Sequence, residues 1–98
     1  MRYLPTPIDT ASVALEPELL ELAERLAENT HDERARERLA QGWKYGPCRR
    51  DDVKEHPCLV PNAMLPEEEK VYDRNTAIET LKAVSALGYK ISLCSHTE

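Results

Sequence analysis

The sequence lacks phenylalanine, and aromatic residues make up only 5% of its 98 residues. With a single tryptophan, the core has to be built from leucine, alanine, valine and isoleucine. It contains three cysteines, an odd number at spacings that match no common zinc module. This pattern favours free thiols in a reducing compartment over a disulfide framework, so we expect a cytoplasmic protein.

Long hydrophobic runs are also missing, and the N-terminus has no positive segment followed by an apolar one. We therefore expect a soluble protein that is neither exported nor attached to a membrane. Thirteen basic residues against 18 acidic ones give a net charge of -5, which argues against a surface that binds duplex nucleic acid or anionic lipid. A chain of this length predicts one domain over residues 1–98.

A first long helix is predicted from about Pro17 to Gln41. Proline at the first helical position loses no hydrogen bond, and Gly42 is a helix terminator. Apolar or small residues recur at three- and four-residue spacing, which places them on one stripe that faces the core. The stripe contains Leu19, Leu22, Ala23, Leu26, Ala27 and Thr30.

The stripe changes character beyond Thr30, because its continuation meets the charged residues Glu33, Arg34 and Glu37. One interpretation is that the core ends there and the last turns are solvated, with Asp32 and Arg36 as an exposed i,i+4 pair. The other is that this end of the helix borders a polar cleft or a subunit contact.

Residues 42–66 contain too many glycines and prolines for a helix. We predict two short strands here, Trp43–Tyr45 and Cys58–Val60, which flank a charged loop. A long loop in a small domain is often functional.

A second long helix is predicted over residues 66–87, again with a proline and three carboxylates at its start. A capping-box pattern at Thr76–Glu79 allows a break at Arg74–Asn75. Residues 89–93 alternate like a short strand, and residues 92–98 form a tail outside a core of about residues 3–91. The buried face of the helix is expected to contain Ala77, Ile78, Leu81, Val84 and Ser85.

The motifs of common enzymes are missing: there is no glycine-rich phosphate loop, no HExxH, no GxSxG and no CxxC. We therefore predict that the protein is not an enzyme. Cys48, His56 and Cys58 lie on one loop but provide no second ligand pair, so we predict neither a metal site nor a cofactor.

The segment from Gly42 to Asp52 is the strongest candidate for a binding site. Trp43 and Tyr45 could stack on a flat heterocycle, while Arg49 or Arg50 could hold phosphate oxygens in a bidentate contact. In the alternative interpretation, the aromatic rings fill the core between the helices, and Arg49, Arg50, Asp51 and Asp52 neutralise one another at a turn.

These residues resemble the ryanodine receptor repeat, or RyR domain. The resemblance covers about residues 3–91 and includes several motifs in order. They are Pro7-Ile8-Asp9-Thr10, Leu26-Ala27-Glu28-Asn29-Thr30-His31, Gly42-Trp43-Lys44-Tyr45-Gly46-Pro47 with Asp51 and Asp52, His56-Pro57-Cys58-Leu59-Val60, Leu65-Pro66 with Tyr72, Glu79-Thr80-Leu81-Lys82, and Ala86-Leu87-Gly88-Tyr89. The sequence departs from the family at Arg34, where the family often has tryptophan.

The resemblance implies a mainly helical fold, with two antiparallel helices and short β-strands in the connecting loop. It also implies pairing of repeats, from which we expect a homodimer, and an association of one tandem pair with adenine nucleotides. Two functions follow as hypotheses. The first is a non-catalytic module that binds or senses a nucleotide-type ligand, with Trp43, Tyr45, Arg49, Arg50 and His56 as its site. The second is a structural or protein-interaction module that has no ligand.

Overall fold

Two long helices form the body of the molecule. The computed structural model describes residues 2–94, in which helix α1 spans Pro17–Ala40 and helix α2 spans Glu67–Ala86. Proline occupies the first turn of α1, and three glutamates occupy the first turn of α2, where carboxylates interact favourably with the helix dipole. The mainly helical fold and the two predicted helix ranges are confirmed to within a residue.

The C-terminal end of α1 determines the position of Trp43. Gly42 has a φ of +93°, a left-handed conformation that glycine adopts without steric cost. Its N–H bonds to the carbonyl of Leu39 at 3.1 Å, and the N–H of Trp43 bonds to the carbonyl of Arg38 at 2.9 Å. These two bonds define a Schellman motif, so the backbone of Trp43 is held one turn away from Arg38.

A two-stranded parallel sheet follows α1. Strand β1 is Lys44–Tyr45 and strand β2 is Glu55–His56, with Lys44 opposite Glu55 and Tyr45 opposite His56. The second strand therefore precedes the position that the sequence predicted, and the prediction of a strand at Cys58–Val60 is wrong. The reason is local, because the N–H of Cys58 bonds to the ring nitrogen Nδ1 of His56 at 3.0 Å, which turns the chain.

The second helix is continuous. A 3₁₀ turn at Asn62–Met64 precedes it, and the possible break at Arg74–Asn75 does not occur. The hydroxyl of Thr76 donates to the carbonyl of Tyr72 at 3.0 Å, so Thr76 sits inside the helix and does not cap it. Gly88 ends the helix with a φ of +96°.

The core is small and lies where the helices cross. Ala23 of α1 packs with Ala77 and Leu81 of α2, and the partly buried residues around them are Leu15, Leu22, Ile78 and Ile91. Further along, Arg34 of α1 contacts Asp73 of α2. Residue 23 of α1 therefore contacts residues 77 and 81 of α2, whereas the later residue 34 contacts the earlier residue 73. The helices are antiparallel, as predicted.

Several details of the predicted core are wrong. Leu26 is 36% exposed and Ser85 is exposed, since the buried side of each helix is narrower than the predicted stripe. Residues 89–93 form no strand, and Ile91 packs on the core cluster instead. The tail residues 95–98 lie outside the described residues. Within residues 2–94, neither helix is long and apolar enough to cross a bilayer.

Candidate functional site

A polar cleft of about 110 Å³ lies between the two helices and the loop that follows β2. Helix α1 forms one wall, α2 the opposite wall, and the loop closes one side. The lining residues are His31, Arg34, Ala35, Arg38, His56, Cys58, Leu59, Leu65, Glu69 and Asp73. We refer to this feature as the polar cleft.

The wall formed by α1 continues the buried stripe of that helix. At about 100° per residue, His31, Arg34 and Arg38 fall on the same side as the buried residues Ala23 and Ala27. Of the three charged residues that interrupt the apolar pattern, Arg34 therefore faces the polar cleft, as in the second interpretation of the sequence, whereas Glu33 and Glu37 are exposed outside it, as in the first. The predicted Asp32–Arg36 pair is not formed, because Arg36 pairs with Glu33 at 2.5 Å.

Two polar contacts hold the walls of the polar cleft together. His31 is buried, and its Nε2 donates to the backbone carbonyl of Val60 at 2.7 Å. Arg34 donates to the carboxylate of Asp73 at 3.2 Å. Asp73 is 7% exposed whereas Arg34 is 53% exposed, so the arginine supplies the charge that a buried carboxylate requires.

Trp43 lies at the rim of the polar cleft, beside two of the residues that line it, Arg38 and His56. The guanidinium carbons of Arg38 and Arg49 each lie 5.7 Å from the centre of its ring, a distance at which a cation is attracted by an aromatic face. The ring of His56 meets Trp43 edge-on, with 6.1 Å between centroids. Trp43 is only partly buried, so it is not a sealed core residue.

The ring of His56 has a defined tautomer. Its Nδ1 accepts the hydrogen bond from the N–H of Cys58, so the proton of the neutral ring lies on Nε2. Burial lowers the pKa of His56 below 6.5, and the positive charges of Arg38 and Arg49 lower it further. The neutral ring therefore presents an N–H donor in a positively charged environment.

The two arginines in the loop between β1 and β2, Arg49 and Arg50, are each paired with an aspartate. Arg49 binds Asp51 through Nε at 2.9 Å, and Arg50 binds Asp52 at 2.7 Å. The hydrogen bond between Arg49 and Asp51 raises the pKa of Arg49 and lowers that of Asp51. All four side chains are exposed, and exposed ion pairs of this kind contribute little to stability, so either arginine can exchange its partner.

The structure thus brings together three of the five residues predicted for the site, namely Trp43, Arg49 and His56. Of the five, only His56 lines the polar cleft itself. Tyr45 is 57% exposed on β1, and Arg50 is paired with Asp52.

Sequence reasoning missed the α1 and α2 residues of the site, Arg38 and Asp73 among them. The helical spacing of Arg38 from Arg34 and His31 was the available signal. No local sequence pattern connects these α1 residues to Asp73 of α2, which is 39 positions away from Arg34.

Cys58 lies in the polar cleft as a free thiol. Burial raises its pKa above 9.0, and the nearby carboxylate of Glu69 raises it further. A thiol with a raised pKa is a poor nucleophile and a poor metal ligand. Within residues 2–94, no three histidine, cysteine or acidic side chains are placed to hold a metal ion.

The antiparallel helix pair, with the short parallel sheet in the segment that connects the helices, defines a small helical domain. The sequence profile of the RyR domain family matches residues 3–93, which is nearly the whole chain. The chain therefore belongs to the RyR domain family, as its motifs indicated.

Proposed function

We propose that this RyR domain is a non-catalytic module that binds a nucleotide-type ligand, with an adenine nucleotide as the first candidate. One observation carries the proposal: a chain of net charge -5 gathers Arg38, Arg49 and the neutral His56 beside its only tryptophan. Cationic donors next to an aromatic ring match a ligand that combines phosphate groups with a flat base.

The size of the polar cleft decides how such a ligand would lie. Pockets that enclose a drug-sized ligand measure roughly 300–1,000 Å³, whereas this cleft measures about 110 Å³. It can therefore enclose one small group of a nucleotide, and the remainder must lie across the rim. The rim residue with a flat surface for a base is Trp43.

Stacking of a base on Trp43 requires access to its ring. Arg38 and Arg49 both lie over the ring, and Arg49 is the more readily displaced, because it is exposed and belongs to the loop. We expect the base to replace the Arg49 guanidinium, which then turns to the ligand or remains with Asp51.

A fluorescence titration tests this proposal, since Trp43 is the only tryptophan. ATP, AMP and adenosine are added to the wild-type protein, and free N-acetyltryptophanamide serves as the control for absorption by the ligand. We expect saturable quenching of Trp43, together with thermal stabilisation of about 2.7 kcal/mol at one hundred times the dissociation constant. The absence of both effects at millimolar nucleotide would refute ligand binding at this site.

A second candidate function, pairing with another copy of the chain, is favoured by the sparse core. No large side chain of the described residues is fully buried. The radius of gyration is 16.9 Å, against about 13 Å for a compact domain of 100 residues. An apolar groove of about 480 Å³ between the N-terminal segment and α2, lined in part by Ile8, Tyr72 and Ala83, remains open.

Sedimentation equilibrium tests the homodimer. We expect a dimer at high micromolar concentration, because burial of the exposed apolar side chains would compensate for the small core. Replacement of Tyr72 by glutamate should shift the equilibrium to the monomer, and the same replacement at exposed Lys90 is the control. A monomeric wild type at high micromolar concentration would contradict pairing.

A further inference from the structure

Arg38 differs from the other arginines around the polar cleft. Arg34 is paired with Asp73, and Arg49 with Asp51, whereas Arg38 forms no ion pair with any residue in the range 2–94. Its guanidinium lies over Trp43 and also lines the cleft. A guanidinium presents five N–H donors in a planar fork. Its contact with the face of an aromatic ring therefore leaves these donors available for hydrogen bonds.

His56 supplies a second donor at the same place. Because its Nδ1 is already an acceptor for the N–H of Cys58, the neutral ring can offer only Nε2–H to a ligand. The fixed tautomer means that this donor exists before any ligand arrives. A preorganised neutral donor beside an unpaired cation is an arrangement that stabilises an oxyanion.

We propose that Arg38 and His56 form an anion subsite in the polar cleft, which takes one phosphate group of the nucleotide. This inference rests on the proposed function and assigns the phosphate contact to Arg38 in place of Arg49 and Arg50, which the sequence favoured. The volume of about 110 Å³ accommodates one tetrahedral oxyanion. The adjacent Trp43 would then carry the rest of the ligand.

The acidic residues of the polar cleft affect this subsite differently. Asp73 is compensated by Arg34, whereas Glu69 forms no ion pair within residues 2–94 and acts on the pKa of His56. Glu69 therefore weakens anion binding. Its removal should strengthen the binding of a phosphate group, a change in the direction opposite to that expected for the donor variants.

The test compares ATP with adenosine by isothermal titration calorimetry. In Arg38→Gln we expect the affinity for ATP to fall about 10-fold or more, as for the loss of a hydrogen bond to a charged group, while the affinity for adenosine is unchanged. Arg36→Gln, an exposed neighbour on the same helix, is the matched control and should bind as the wild type does. Equal losses for ATP and adenosine, or no loss in Arg38→Gln, would overturn the subsite.

Two further variants keep the test decisive if Arg38→Gln does not fold. His56→Asn retains an acceptor near the position of Nδ1 but removes the Nε2–H donor. It should lower the affinity for ATP several-fold and leave the affinity for adenosine unchanged. Glu69→Gln should strengthen ATP binding, with Glu68→Gln, an exposed neighbour outside the cleft, as control. No change in His56→Asn, or weaker ATP binding in Glu69→Gln, would contradict the subsite.

Inorganic pyrophosphate separates the two proposals. If the wild type binds pyrophosphate in a manner that depends on Arg38 but binds no nucleotide, the subsite stands and the proposed function fails. If nucleotides bind with no dependence on Arg38, the function stands and the subsite fails. Binding of neither ligand refutes both.

Discussion

His56 contacts both Cys58, in the loop after β2, and the ring of Trp43 at the rim of the polar cleft. A change in its protonation therefore affects both contacts. The folded state lowers its pKa below the ordinary value of 6.5, chiefly through burial and then through Arg38 and Arg49. Protonation of Nδ1 would also remove the hydrogen bond from Cys58. The folded protein therefore holds His56 in its neutral form more firmly than the unfolded chain does.

This difference predicts a pH dependence of stability. Above pH 6.5 both states hold the ring neutral, and the contribution of His56 is fully present. As the pH falls from 6.5 toward the lower folded pKa, the unfolded chain binds the proton first, so the free energy of unfolding decreases.

Urea denaturation between about pH 7 and pH 5, above the range in which ordinary carboxyl groups titrate, measures this effect. We expect the decrease to be smaller in His56→Asn, which lacks the titrating ring. An equal pH dependence in both proteins would show that His56 is not responsible.

Cys58 is expected to react slowly with alkylating reagents. Its raised pKa keeps the thiol protonated, and only the thiolate is the nucleophile. Alkylation by iodoacetamide at about pH 8, near the ordinary pKa of a thiol, followed by peptide mass spectrometry, should label exposed Cys48 well before Cys58. Labelling of Cys58 as fast as Cys48 would contradict the described burial of the thiol in the polar cleft.

The sequence indicated which loop residues could bind a ligand, but not which side chains from the helices they would contact. Trp43, Arg49 and His56 lie on one segment, and their types alone suggested stacking and charge. Their partners Arg38 and Asp73 belong to helices whose relative placement depends on tertiary packing. The contact between Arg34 and Asp73 spans 39 positions of sequence, so local patterns could not reveal it.

At the scale of the elements, the pairing of β1 with β2 depends on Gly46. A Cβ added at this buried glycine would lie 2.6 Å from Cβ of Glu55, which is too close for the strand β2 to remain in place. Because Cβ of Glu55 is fixed to the backbone, rotation of the glutamate side chain cannot relieve the contact.

Gly46→Ala is therefore expected to destabilise the protein by about 1–3 kcal/mol, as overpacking commonly does. Chemical denaturation measures the loss, and Cys48→Ala on the same loop, at an exposed position, is the control with little effect. A stability equal to that of the wild type would contradict the close contact described between Gly46 and Glu55 of β2.

The helix boundaries were predictable because they depend on local chemistry. Pro17 and Gly42 fix the ends of α1 through a missing donor and a left-handed φ, and neither effect needs a distant partner. The position of β2 was not predictable in this way. Its location depends on the pairing with β1 and on the turn made by His56 and Cys58.

At the scale of the whole molecule, stability depends on very few buried side chains. Leu81 is the largest residue of the buried cluster and is 6% exposed. Leu81→Ala should cost about 2–5 kcal/mol, the usual range for a buried leucine, which is a large part of the total stability of a small domain.

Urea denaturation measures this cost. Leu39→Ala is the matched control, because Leu39 is 58% exposed and should change stability by no more than about 0.5 kcal/mol. Similar losses in both variants would contradict the described core.

The central claim is that the polar cleft beside Trp43 is a nucleotide site, and chemical-shift mapping tests it most directly. Wild-type protein labelled with ¹⁵N is titrated with ATP, and the backbone amides and the Trp43 indole are followed. We expect saturable shifts concentrated at His31, Arg38, Trp43 and Cys58, with little change at Ala86 near the far end of α2. No shifts at millimolar ATP, or shifts centred on Ile8 and Tyr72 in the apolar groove, would contradict the claim.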